Sequence, residues 1–103
     1  MSGANPVRGE ASLQVAGATL ILRPSFAALI AAEQEVGPLF ALVDRAAGGR
    51  LRLEEMTALF WHCLVDRPAE LSRAAFGESV AAAGLAANTA ALKLLLQQVL
   101  QGR

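Results

Sequence analysis

The stretch 9–37, GEASLQVAGATLILRPSFAALIAAEQEVG, decides how the rest of the chain is arranged. Leu13 and Val15 alternate with Ser12 and Gln14, the period of a half-buried strand. Gly17 stands where a tight turn needs a residue free to take positive φ, most simply as the bulge glycine after a type I turn. The return strand, Ala18 to Arg23, sends Leu20 and Leu22 one way and Thr19, Ile21 and Arg23 the other. Pro24 has no N–H to donate and ends the ladder, and Ser25 follows as the N-cap of a helix. Two strands alone are marginal in water, so this hairpin must pack on helices.

Working outward, the pattern predicts five of them. The first runs from Phe26 to about Glu35, with Phe26, Leu29 and Ile30 on one face and Glu33 as that face's one charged member. Gly37 suits a left-handed C-cap, and Pro38 opens a second helix over Leu39–Ala47 that presents Leu39, Leu42, Val43 and Ala46. Gly48-Gly49 stops it, and Arg50-Leu51-Arg52-Leu53 is too short an alternation for a strand. The third helix, about Glu54 to Val65, carries Met56, Leu59, Phe60 and Cys63 at helical spacing, with Glu54 and Glu55 at its positive end. Asp66-Arg67-Pro68 breaks the chain before a fourth helix near Ser72–Ala83, striped by Phe76, Val80 and Ala83 and stopped by Gly84. The fifth, about Ala86 to Leu100, shows Leu92, Leu95, Leu96 and Val99 on one face. Residues 1–8 hold Gly, Asn and Pro without periodicity and read as a flexible arm before a single domain over 9–103. The fold class expected is α+β, an N-terminal β-hairpin on a small bundle of about five α-helices.

Composition narrows the function. The chain has 103 residues, no formal net charge and 54% hydrophobic residues, many of them alanine. Balanced charge argues against nucleic acid, whose binders carry a basic surplus to replace phosphate counterions. The single cysteine, Cys63, allows no internal disulfide and fits a reducing compartment. The most apolar stretch, Ser79 to Leu100, is interrupted by Gly84, Asn88, Lys93, Gln97 and Gln98, unlike a membrane span. A soluble, cytoplasmic protein is expected.

Catalytic chemistry finds little to use. His62 and Cys63 are adjacent, so on a helix they point about 100° apart and do not chelate one ion. Cys63 shares the face of Met56, Leu59 and Phe60 and reads as a buried small hydrophobe, with His62 near the surface. Glu33 and Glu35 diverge, and Glu33 has Arg23 or Arg45 as candidate ion-pair partners. Gly48-Gly49 lacks the lysine of a phosphate loop, and the cluster of Arg45, Arg50 and Arg52 is compensated by Asp44, Glu54 and Glu55. Neither an enzyme nor a cofactor is indicated. What remains is interaction between proteins. Trp61 sits beside the core face of the third helix and either anchors an interface or covers the hairpin within its own fold. The fifth helix is apolar over a wide arc, which leaves Leu94, or Leu96 at the stripe's edge, for another chain.

The run Gly9-Glu10, Leu13, Gly17, Leu22-Arg23-Pro24-Ser25-Phe26, Ala28-Leu29, Glu33 and Gly37 resembles the opening of the gene transfer agent tail proteins of alphaproteobacteria. These are small phage-derived proteins, described variously as tail tube or tail assembly chaperone-like. The segment Val80-Ala81-Ala82-Ala83-Gly84-Leu85 resembles that family's helix stop, and the similarity runs from about Arg8 to Leu100. The resemblance implies a noncatalytic assembly chaperone that binds the tape measure protein or tail tube subunits; the apolar arc of the fifth helix separately predicts self-association, or association with a tape measure helix, through that helix. The alternative is a structural tail component incorporated in the particle. A third reading, a small regulatory or ligand-binding domain, requires a pocket near Trp61 and His62.

Overall fold

Alternation along the hairpin sorts its side chains onto two faces, and one of them is the floor of the core. The structure, a computed structural model, describes residues 10–15 and 17–101. The arm expected over 1–8 lies outside them. Strand β1 (Ala11–Val15) pairs antiparallel with β2 (Ala18–Leu22), matching Ala11 to Leu22 and Leu13 to Leu20. Ala11, Leu13, Leu20 and Leu22 are buried, while Ser12, Gln14 and Thr19 face solvent. Each large aliphatic side chain taken from water in this way contributes roughly 1.5–3 kcal/mol. Gly17 has φ 82°, the left-handed conformation expected of it; the turn passes through residue 16, outside the described residues.

Pro24 and Ser25 form the junction expected of them. The Ser25 hydroxyl accepts from the Ala28 N–H at 3.2 Å and starts α1 (Phe26–Val36). Gly37, at φ 88°, turns the chain into α2 (Leu39–Ala47), with Pro38 standing as N-cap just ahead of the first turn. After Gly48-Gly49 comes α3 (Leu53–Cys63), then α4 (Arg73–Ala83), capped by the Ser72 hydroxyl, then α5 (Leu85–Gln101). The α+β architecture, hairpin first and five helices after it, is therefore the one read from the pattern.

One segment departs from it. Leu64 and Val65, expected as the end of the third helix, form a two-residue strand β3 against Leu22 and Ile21, giving the sheet order β1-β2-β3. The outer edge of β2 needs partners, and the Arg23 N–H finds one in the Cys63 carbonyl at 2.7 Å. Asp66, at φ 55°, then turns the chain away. Tertiary pairing here overrides a helical pattern that is locally continuous.

Leu59, Phe60 and Cys63 of α3 meet Phe76 and Val80 of α4 and Leu95 of α5 in one core over the hairpin, with Met56 packed at its edge. Asn88, an interruption in the apolar stretch when read as sequence, is buried where α5 meets α4, and its Nδ2 donates to the Val80 carbonyl at 2.7 Å. Among the described residues no single helix is long and apolar enough to cross a membrane.

The junction gives a direct test. Replacing Ser25 with Ala removes the acceptor at the start of α1 and is expected to lower stability by about 1 kcal/mol, read as a lower denaturant midpoint. An unchanged midpoint would show that the cap does not hold this end of the helix.

Candidate protein interface

Phe26, Ile30 and Glu33 share a face of α1 that is not the core face, and Leu29 stands at the border between the two. The residues of α1 turned to the core are Ala28, Leu29, Ala32 and Val36, and Ala32 alone is fully buried. Phe26 is 81% exposed, and across from it Phe40 of α2 is 64% exposed. Together with Pro24, Ile30, Leu39 and Val99 they line an open, largely apolar cleft of about 370 Å³ between α1, α2 and the end of α5. The inward face of α1 carries the small Ala28 and Ala32, which suit a close approach of two helices, while Phe26 and Ile30 are left on the outer side.

Glu33 shapes the cleft's floor. Its Oε2 accepts from the Leu39 N–H at 3.0 Å, so the carboxylate satisfies a free amide at the start of α2, where Pro38 offers no side-chain cap. The arginines named for it pair elsewhere. Arg23 Nε meets the buried Glu10 carboxylate at 2.6 Å, and Arg45 Nη2 meets Glu55 at 2.6 Å. The Arg52 N–H also donates to Glu55, and this bond, followed by the Arg45 pair, draws the Glu55 carboxyl below its ordinary range.

Trp61 is half-buried and packs within its own chain. Its ring lies 5.7 Å from that of Phe76, tilted by 53°, with the Arg67 guanidinium 4.2 Å from the ring centre. The aromatic ring it meets is on α4. Leu96 is 9% exposed and belongs to the core, whereas Leu94 is half-buried and lines a groove beside β1. None of the three residues singled out from sequence lines the aromatic cleft. The exposed pair Phe26 and Phe40 was missed because helical spacing alone does not say which of two apolar faces turns inward.

A further small network lies on the polar surface. Glu35 Oε1 lies 2.8 Å from His62 Nε2, and Glu35 Oε2 accepts from Arg73. The Arg73 hydrogen bond, then that of His62, holds the Glu35 carboxyl below the usual carboxylate range. A groove of about 690 Å³ runs beside this network between α3 and α4 and is lined in part by Glu35, Arg52, Glu54, Arg73 and Glu78; neither Trp61 nor His62 lines it. Among the described residues no group of three histidine, cysteine or acidic side chains is placed to hold a metal ion.

Residues 8–102 match the family model described as phage tail tube protein, GTA-gp10. The chain belongs to this phage tail family. The match takes in the hairpin, both apolar grooves and all five helices, so the whole described fold is the family's domain. Comparison with curated proteins and with solved structures finds no match.

Two outcomes are expected of the tail protein's side chains. Burial pushes the Cys63 thiol up to about 12, and the thiolate is the reactive species, so thiol reagents should label Cys63 only on unfolding. Rapid labelling of the native protein would overturn that placement. Glu35 has a depressed folded pKa, so its contribution to stability is present above the ordinary carboxylate value of about 4.3 and is lost as the pH falls through the folded value. Glu35→Gln should therefore flatten the acid limb of the stability–pH curve. Parallel curves for the two proteins would show that the network contributes nothing to it.

Proposed function

We propose that this chain is a noncatalytic structural component of a phage-like tail, incorporated in the particle and packed against other tail subunits through the aromatic cleft. The observation that carries the reading is the pair Phe26 and Phe40, exposed on either side of an apolar cleft in a chain whose family is described as tail tube protein. A contiguous apolar surface with two exposed aromatic rings is costly to leave in water, and aromatic side chains are favoured anchors of protein interfaces. Its partners in this reading are tail tube subunits, other copies of the chain among them, and assembly takes place in the cytoplasm. Neither nucleic acid nor a membrane is a partner in it.

A second reading, an assembly chaperone for the tape measure protein, draws on the size of the same cleft. About 370 Å³ bounded by three helices suits one apolar helical segment better than a broad subunit face. The two readings separate on the fate of the protein. A structural component remains in the finished particle at a fixed ratio to the other tail proteins; a chaperone is left behind.

The test is quantitative mass spectrometry of purified particles, from wild type and from Phe26→Glu. Phe26 is so exposed that the substitution should change stability by no more than about 0.5 kcal/mol. We expect the wild-type protein at constant stoichiometry and the variant excluded or strongly depleted. Particles that lack the wild-type chain, while it co-purifies from the cell with the tape measure protein, would replace the structural reading with the chaperone one.

A further inference from the structure

The outer edge of β1 is an open half of a sheet. Ladder bonds alternate sides along an antiparallel strand. The Arg23 N–H donates to Cys63, so Arg23 and Ile21 direct their backbone groups to β3, while Leu20 and Leu22 direct theirs to β1. Their partners Leu13 and Ala11 therefore bond inward to β2. Ser12 and Gln14 turn their N–H and C=O groups outward, and no hydrogen bond among the described residues reaches those groups.

Among the described residues this edge carries none of the usual protection. Strand edges are commonly blunted by a lysine, a proline or a bulge, or covered by another segment. Here both residues with outward groups are uncharged and exposed. A groove of about 450 Å³ runs alongside, lined by Ala11, Ser12, Leu13 and Gln14 on one side. Four consecutive strand residues, buried and exposed alike, line it, so it follows the edge and not a face. The opposite wall is α5, where Ala87, Ala90, Ala91 and Leu94 stand at helical spacing.

We propose that this edge pairs with the same edge of a second copy, joining two three-stranded sheets across a two-fold axis. The register is self-complementary. An antiparallel copy centred on Leu13 places Ser12 opposite Gln14 of the other chain and Gln14 opposite Ser12, so each outward donor meets an outward acceptor. On the solvent side, hydroxyl faces carboxamide across the seam. On the helix side the two Leu13 residues meet, and the small side chains of α5 let the two helices approach under the joined sheet. Leu94 then borders the seam, which gives this residue, picked out from the apolar arc of α5, a contact. The pairing is independent of the aromatic cleft and does not rest on the role assigned to it.

Sedimentation equilibrium of the full chain over increasing concentration tests the proposal with three variants. Ser12→Pro removes an outward donor and places a ring in the seam, and proline is tolerated on an edge strand when its missing N–H faces outward. Ala90→Glu puts a charge on the exposed helix wall. Both should remain folded by circular dichroism and dimerise at least about tenfold more weakly than wild type. Phe26→Glu should dimerise as wild type does. A wild-type monomer at every concentration would overturn the pairing. So would a dimer that survives both seam variants, and one lost in Phe26→Glu alone would place the contact at the aromatic cleft.

Discussion

The hydrogen bond from the Arg23 N–H to the Cys63 carbonyl is where the hairpin and the helices become one body. A two-stranded ribbon has too little buried area to persist in water, and it is held here from two directions. The helices cover its inner face, and Leu64–Val65 closes its second edge. Because the chain leaves α3 directly into that pairing, the end of the helix is anchored over Leu22, with Cys63 beneath it in the core. The residue after Arg23 is Pro24, which cannot extend the ladder, and the chain turns at once into α1. Strand end, helix end and helix start thus meet at one place in the fold.

The second constraint is the supply of large side chains. Much of the apolar content is alanine, which allows close helix approach but buries little area. The core uses the large residues of the hairpin and of α2, α3, α4 and α5, and α1 contributes Ala32 as its one fully buried residue. The bulky side chains of α1 and α2 that find no place inside collect at the aromatic cleft. On the reading proposed above this division serves assembly: the packing that holds the monomer together leaves an apolar surface for neighbouring subunits. Polar groups divide in the same way. Glu33 caps α2 from below the cleft, while Glu35, two residues later, ties His62 and Arg73 on another side.

Much of the fold was legible because it follows from local rules. The alternation of Leu13, Leu20 and Leu22 with polar neighbours, the proline that stops β2, the serine caps at Ser25 and Ser72, and the glycines at 17, 37 and 84 each act within a few residues of where they stand. So does the inward stripe of Leu59, Phe60 and Cys63, which recurs at helical spacing along α3. What the chain alone could not decide were choices between surfaces of similar polarity and pairings between distant segments. Spacing put Phe26, Leu29 and Ile30 on one face of α1, but only the packing of α1 on α3 turned Ala32 inward and left Phe26 in water. Nothing local marks Leu64–Val65 as a strand, because its partners, Ile21 and Leu22, lie more than forty residues earlier. The open edge of β1 is visible for the same reason only in three dimensions. A strand's free side is defined by what pairs with its neighbour, and that is settled by the whole chain's contest for backbone hydrogen bonds and buried area.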